Sequence, residues 1–381
     1  MTTTWVDPAD PLAALAKVSL HDHLDGSVRP ATLLELAAES GAPVPRQDPE
    51  ALQHWFTHFA ELEPGADWEL LFGLTTSVMQ TAPQLRRIAR EYVGTLAADG
   101  VVYAETRWAP EKHLARGLSM DEALAAVQDG LDAGMRDAAR DGRPVLVRQL
   151  LSIMRTADRG PEVVAAALRN RDAVVGIDLA GHEEGRPARE HAEWFRLAAA
   201  HGLSRTVHAG EMAGADSIED ALDSCAAQRI GHGARLAEDI AVDGRVHPVG
   251  EVAAAWRRAG GGRDSLRLGP LAQRVVDEAI PLEMCPTSNS QPGGVVDTLA
   301  QHPVGLLHAA GVAVTVHPDN RLLSRTGVTG ELRVMVDRFG WGLADIERAQ
   351  RTALAAGFLD DERRERLREE RLAPSFARAS E

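Results

Sequence analysis

The stretch Val18-Ser19-Leu20-His21-Asp22-His23-Leu24-Asp25-Gly26-Ser27 decides how the chain is read. A short apolar run ends in two histidines, and a glycine suited to a tight turn follows close behind. Side chains alternate along a strand, so His21 and His23 leave it on the same side and can offer two imidazoles to one metal. A His-x-His pair alone is a weak signal. What gives it weight is that chemistry-bearing residues recur at the ends of later strands.

Seven further short runs rich in β-branched residues follow, at 101–107, 145–151, 173–179, 205–207, 229–230, 281–285 and 312–316. Between them lie amphipathic segments such as 83–96, 120–139 and 161–168, whose apolar residues recur at spacings of three and four. Strand alternating with helix predicts a parallel sheet in an α/β protein. Eight such strands predict a (β/α)₈ TIM barrel, in preference to an open doubly wound sheet.

The chain reads as a single barrel domain over residues 1–381, with three segments outside the repeat. Residues 31–100 form a helical insertion after the first strand and carry Trp55, Phe56, Phe59, Trp68 and Phe72. They read either as a helical subdomain or as a lid over the strand ends. Residues 243–268, with Gly260-Gly261-Gly262, read as a flexible surface insertion. The Arg- and Glu-rich tail from Asp360 reads as a solvated helix with a frayed end.

Composition narrows the class. A net charge of −15 argues against nucleic acid as a partner, since phosphate contacts need clustered Lys and Arg. The two cysteines, Cys225 and Cys285, exclude a disulfide framework and fit a reducing cytoplasm. Residues 1–8 have no basic region or apolar run and do not read as a signal peptide. No stretch approaches the roughly 20 apolar residues of a membrane helix. A soluble cytoplasmic protein is expected; the oligomeric state is left open.

Three more strand ends carry chemistry. His208-Ala209-Gly210-Glu211 closes the fifth strand, with Glu211 either a ligand or a general acid/base beside one. Arg229-Ile230-Gly231-His232-Gly233 closes the sixth, its glycines allowing close approach. His317-Pro318-Asp319-Asn320 closes the eighth, and Asp319 can complete a metal shell or simply form a turn. In a barrel all four ends share one face. Three histidines and a carboxylate suit Zn²⁺, which in catalysis keeps one position open for water. Glu211 and His232 remain to steer that water and move protons. The residues therefore predict a metal-assisted hydrolase, with the substrate undetermined.

Five segments in order resemble the adenosine deaminase family: His21-Asp22-His23-Leu24-Asp25-Gly26-Ser27, Asp178-Leu179-Ala180-Gly181, Arg205-Thr206-Val207-His208-Ala209-Gly210-Glu211, Arg229-Ile230-Gly231-His232-Gly233 and Cys285-Pro286-Thr287-Ser288-Asn289. The likeness runs nearly end to end. It implies a (β/α)₈ barrel holding one Zn²⁺ per chain on His21, His23, His208 and Asp319. It also implies Glu211 as proton donor to purine N1, and His232 as the residue that orients the attacking hydroxide and assists its deprotonation. Gly181 would offer its backbone N–H to N3, Asp25 would hold a sugar hydroxyl, and Asn320 would face N7. The implied activity is hydrolysis of adenosine and 2′-deoxyadenosine to the inosine forms with release of ammonia. A small purine nucleoside would then be the partner, with no nucleic acid and no membrane.

The eighth-strand motif departs from the family's usual Asn/Ser-Thr/Ser-Asp-Asp-Pro. Asn320 replaces the second Asp, a workable change because an amide donates to N7 at any pH. Pro318 lacks the N–H before a ligand. His317, and His182 after Gly181, are unusual near the expected purine. His317 reads as a packing histidine behind the ligands or as a sign of altered substrate choice. Alternatives within the family are aminodeoxyfutalosine or adenine as substrate. Outside it are a metal-dependent amide or ester hydrolase and a non-catalytic purine-binding relative. Adenine deaminases usually carry Glu where this chain has Asp25, which favours a nucleoside.

Overall fold

A computed structural model describes residues 5–7, 9–62 and 68–380. Part of the 31–100 insertion, residues 63–67, lies outside the described residues, as do residues 1–4 and 8 at the N-terminus. Among the described residues there are ten strands: β1 (Lys17–His23), β2 (Val101–Trp108), β3 (Leu146–Met154), β4 (Val174–Ala180), β5 (Ser204–Ala209), β6 (Arg229–His232), β7 (Ile240–Val242), β8 (Leu266–Leu268), β9 (Leu282–Met284) and β10 (Val314–Val316). Eight of them form one parallel sheet in the order β1-β2-β3-β4-β5-β6-β9-β10. The seam between β10 and β1 is closed by a parallel bridge from Asp22 to Asp319. His23 N donates to Asp319 O at 2.8 Å, and Asp319 N donates to His21 O at 3.1 Å. That closure makes the sheet a barrel and excludes the open doubly wound alternative.

The strands correspond to the eight β-branched runs. They are buried on both faces, as β2 is along its whole length, because helices cover the outside and side chains fill the inside. The inside is ionic rather than apolar. Tyr103, Glu105 and Arg107 alternate along β2 and meet Arg229, Thr206 and Glu283 from across the barrel. Asp22, between the two histidines, faces elsewhere and is held by Arg321 Nε at 2.8 Å and Ser27 Oγ at 3.1 Å.

Three segments lie outside the repeat. Helices Pro30–Ser40, Pro49–Thr57, Phe59–Leu62 and Trp68–Ser77 precede the long barrel helix Ala82–Ala98. The Pro49–Thr57 helix is tied to the loop after β10 by Gln53 Nε2, which donates to Leu322 O at 2.6 Å. Residues 243–268 are more ordered than a flexible insertion: the antiparallel pair β7–β8 brackets them, and their helix Val249–Arg258 buries Val249, Val252, Ala253 and Ala255. An amphipathic helix outweighs the glycine triplet that followed it.

The tail also differs from the sequence expectation. It is docked, not frayed. Leu372 and Phe376 are fully buried, and Ala16 N, just before β1, donates to Ser375 Oγ at 2.8 Å. The dense Arg and Glu pattern masked two apolar anchors spaced four residues apart. Phe376→Ala is expected to cost about 3–5 kcal/mol of unfolding free energy, read as a lower midpoint in denaturant; a solvated tail would leave the midpoint unchanged.

Candidate active site

The strand ends at one mouth of the barrel converge as the pattern required. One nitrogen from each of His21, His23 and His208 lies within 4.8 Å of the others. His23 Nε2 is 3.2 Å from His208 Nε2. Asp319 Oδ1 sits 3.3 Å from His21 Nε2 and 3.4 Å from His23 Nε2. Ligands about 2.0–2.1 Å from one tetrahedral ion stand roughly 3.3 Å apart, so these spacings fit a shared ion.

The ring nitrogens facing away from the centre are anchored. His21 Nδ1 meets Glu283 Oε2 at 2.9 Å, and His208 Nδ1 meets Asp178 Oδ1 at 3.0 Å. Each pairing fixes a tautomer that leaves Nε2 with a lone pair toward the centre. His21 Nε2 is buried and makes no hydrogen bond, so its lone pair suits a cation. Burial pushes the His208 imidazole down to about 4, which keeps it in the neutral, ligating form. Ser288 Oγ donates to Asp319 Oδ2 at 2.6 Å, leaving Oδ1 toward the histidines. The donor set therefore fits a metal such as zinc.

Two of these strand ends carry strained backbone. His232 and Asp319 both have φ of +61°, a left-handed conformation that costs a side-chain-bearing residue of order 1–3 kcal/mol. Between His208 and His232, Gly231 lets the rings close in: a Cβ there would stand 3.1 Å from His21 Cε1 and 3.2 Å from His208 Cα.

Glu211 Oε2 lies 3.5 Å from His232 Nε2. Burial, then the charges of Asp319 and Glu183, push the Glu211 carboxyl well above its ordinary range. Asp25 is buried; its Oδ2 accepts from Ala109 N at 3.3 Å, and its Oδ1 makes no hydrogen bond but stands 3.8 Å from His23 Nδ1. Burial opposes its ionised form, but His113 and His23 outweigh that and hold it low. Asn320 Oδ1 is also buried and unpaired. Its amide lies against Gly26, where a Cβ would come within 2.0 Å of that oxygen, so residue 26 must be glycine for Asn320 to sit there. Gly181, at φ +96°, and His182 are exposed. Phe72 of the insertion places its ring 6.0 Å from that of His23.

His317 is a wall residue. Its Nδ1 accepts from Leu20 N at 3.2 Å and its Nε2 donates to Thr315 Oγ1 at 2.8 Å, so neither nitrogen is free for a ligand. The amides on either side of Pro318 are both bonded, from His317 to Met284 O and from Asp319 to His21 O, so the strand end absorbs the missing donor.

Comparison with known proteins agrees with this geometry. Residues 16–373 match the family described as adenosine deaminase. The chain belongs to the adenosine deaminase family. It is 42% identical to an adenosine deaminase of Mycobacterium leprae over 95% of both chains. It is 40% identical to adenosine deaminase 1 of Streptomyces coelicolor over 97% of this chain and 89% of that one. Among solved structures it resembles an adenine deaminase from Arthrobacter aurescens, with TM-score 0.77, 25% identity, and 96% and 99% of the two chains covered. It also resembles a zinc-bound amidohydrolase from Burkholderia ambifaria, with TM-score 0.76, 27% identity, and 97% and 92% covered. An Arabidopsis N6-methyl-AMP deaminase follows at TM-score 0.72 and 26% identity, with 94% and 97% covered. This deaminase-family chain is an aminohydrolase by that membership.

Several residues that shape the site carried no role in the sequence reading. Glu283 was legible only as a charge inside a strand. Glu183 had no signal beyond lying near Gly181. Yet its carboxylate accepts from Gly210 N at 2.7 Å, Glu211 N at 3.1 Å, Met212 N at 2.8 Å and Ala213 N at 3.0 Å, and from Ser217 Oγ. It thereby moulds the loop that presents Glu211. Glu183→Ala leaves those donors without their acceptor and should cost about 3 kcal/mol, with Glu183→Gln milder because one oxygen still accepts. Denaturant unfolding of both variants checks this, and equal stability of Glu183→Ala and the parent would contradict it.

Proposed function

We propose that this enzyme hydrolyses adenosine and 2′-deoxyadenosine at C6 to inosine and 2′-deoxyinosine, releasing ammonia, with one Zn²⁺ held by His21, His23, His208 and Asp319. The observation that carries the reading is the meeting of those four residues with Glu211 and His232 in one pocket. Bound there, the ion would lower the pKa of a water toward ~7 and act as a Lewis acid.

The chain's own residues account for the remaining work. Glu211, with its carboxyl raised by burial, keeps a proton to give to purine N1, and protonation there makes C6 electrophilic. His232, 3.5 Å from Glu211, would steer the attacking oxygen. The exposed Gly181 leaves its N–H available to N3. The Asn320 amide, a donor at any pH, serves N7. Asp25 Oδ1, which makes no hydrogen bond within the protein, would accept one from a sugar hydroxyl, which supports a nucleoside over free adenine. Relatives at 40–42% identity carry the name adenosine deaminase, whereas the adenine deaminase neighbour stands at 25%.

The reading also treats residues 1–381 as one barrel domain, with 31–100 shaping the pocket mouth, and places the enzyme in the cytoplasm. Both cysteines are free thiols, and no helix among the described residues is long and apolar enough to cross a membrane.

A panel of adenosine, 2′-deoxyadenosine, adenine, AMP and aminodeoxyfutalosine, followed by loss of adenine absorbance and by ammonia release, tests the substrate. Higher kcat/KM for any of the last three than for adenosine would sink the proposal. Glu211→Gln should lower kcat on the order of 100-fold or more while bound zinc, measured by metal analysis, stays at one per chain. His23→Ala should lose both metal and turnover.

A further inference from the structure

In the segment Cys285-Pro286-Thr287-Ser288-Asn289, Ser288 holds Asp319, whereas Asn289 has no part in the chemistry proposed above. The segment follows β9 as a short helical turn, Pro286–Asn289, whose first amides are steadied by Glu331 Oε2 accepting from Thr287 N at 3.0 Å. Ser288 reaches Asp319, and Asn289 reaches the other side of the pocket, where its Nδ2 stands 3.0 Å from His232 Nδ1. Behind Asn289, His302 Nε2 stands 3.2 Å from Asn289 Oδ1. Behind His302, Val304 N donates to His302 Nδ1 at 3.2 Å. His232, Asn289 and His302 are all buried.

The direction of every bond in this chain follows from its last member. A backbone N–H can only donate, so His302 Nδ1 must accept. Burial pushes the His302 imidazole down to about 3, so the ring is neutral and its one proton is on Nε2. That N–H needs an acceptor, which orients Asn289 with Oδ1 toward His302 and its amino group toward His232. The amino group donates, so His232 Nδ1 must accept. A neutral His232 then carries its proton on Nε2, on the side of Glu211.

We propose that Asn289 and His302 are positioning residues that fix the tautomer and ring orientation of His232, so that His232 presents an Nε2–H donor to the pocket. The inference rests on the reading of His232 as a catalytic residue, but the proton's place on the ring does not depend on the substrate. In this role His232 steers the attacking oxygen by donating a hydrogen bond. It is not poised to take that oxygen's proton at Nε2, and this revises the base-like part of the role that the family resemblance implied.

The test is ¹⁵N NMR of the zinc-loaded enzyme labelled at histidine, with the His232 signals assigned by their loss in His232→Gln. The expected spectrum has a protonated Nε2 and an acceptor-type Nδ1 for both His232 and His302. Asn289→Asp replaces the donor by a group that can only accept when ionised, so His232 should then show a proton on Nδ1. Its kcat should fall on the order of 100-fold, as expected for a catalytic histidine in the wrong tautomer, with KM and zinc content little changed. His302→Ala frees the amide to rotate and should give mixed His232 tautomers with a smaller loss. A parent spectrum with a proton on His232 Nδ1 overturns the proposal, and so does an Asn289→Asp spectrum identical to the parent's. If Asn289→Asp does not fold, the parent and His302→Ala spectra decide. An enzyme inactive on every adenosine analogue would remove the function proposed above yet leave these spectra as expected.

Discussion

The Glu283 carboxylate is the point on which the site depends. It lies at the centre of the barrel, where Arg107 Nη2 meets one oxygen at 2.5 Å and Arg229 Nε meets the other at 2.6 Å. Burial works against its ionised form, but the two guanidiniums overcome that and hold it well below the usual carboxylate range. The oxygen that Arg107 holds also accepts a hydrogen bond from His21 Nδ1. The same charge that balances the barrel floor therefore orients a ligand at its mouth. A buried ion pair of this sort is weak evidence for stability, because desolvation offsets much of the Coulomb gain. Its value here is geometric: a permanently ionised acceptor cannot let the imidazole turn.

The same logic recurs around the pocket. Asp178 holds His208, Ser288 holds Asp319, and Glu183 gathers the amides of the Glu211 loop. Each functional atom is left facing the centre because its other polar atoms are already taken. The barrel's closure belongs to the same system. The seam hydrogen bonds run between His23, His21 and Asp319, so the last strand cannot join the first without bringing the carboxylate against the imidazoles. Positive φ at Asp319 is tolerated because these bonds, with that from Ser288, over-determine it.

The unusual eighth-strand motif fits this frame. His317 spends both nitrogens on the wall, one on a β1 amide and one on Thr315. Asn320 stays at the mouth, its oxygen unpaired and its amide packed on Gly26. On the proposed reading Asn320 and Gly181 would meet the purine and Asp25 the sugar, whereas the metal would be held by residues locked from behind.

Local pattern was enough for much of this protein. Period-two alternation put His21 and His23 on one side of β1, eight β-branched runs separated by helical periods specified a parallel barrel, and residues at strand ends announced one shared face. Those features repeat over a few residues and survive in one dimension. Tertiary structure decided what links distant positions. Glu283 and Arg107 are 176 residues apart, and Glu183 and Glu211 meet only when β4 and β5 lie side by side. The docking of Phe376 and the order within 243–268 were hidden for a related reason: their apolar anchors are sparse in polar or glycine-rich sequence, and only burial against the barrel reveals them. Even the opening His-x-His was half a statement. Alternation aimed the two rings, but the tautomer of His21, and so the lone pair it can offer an ion, was set by Glu283, 262 residues away.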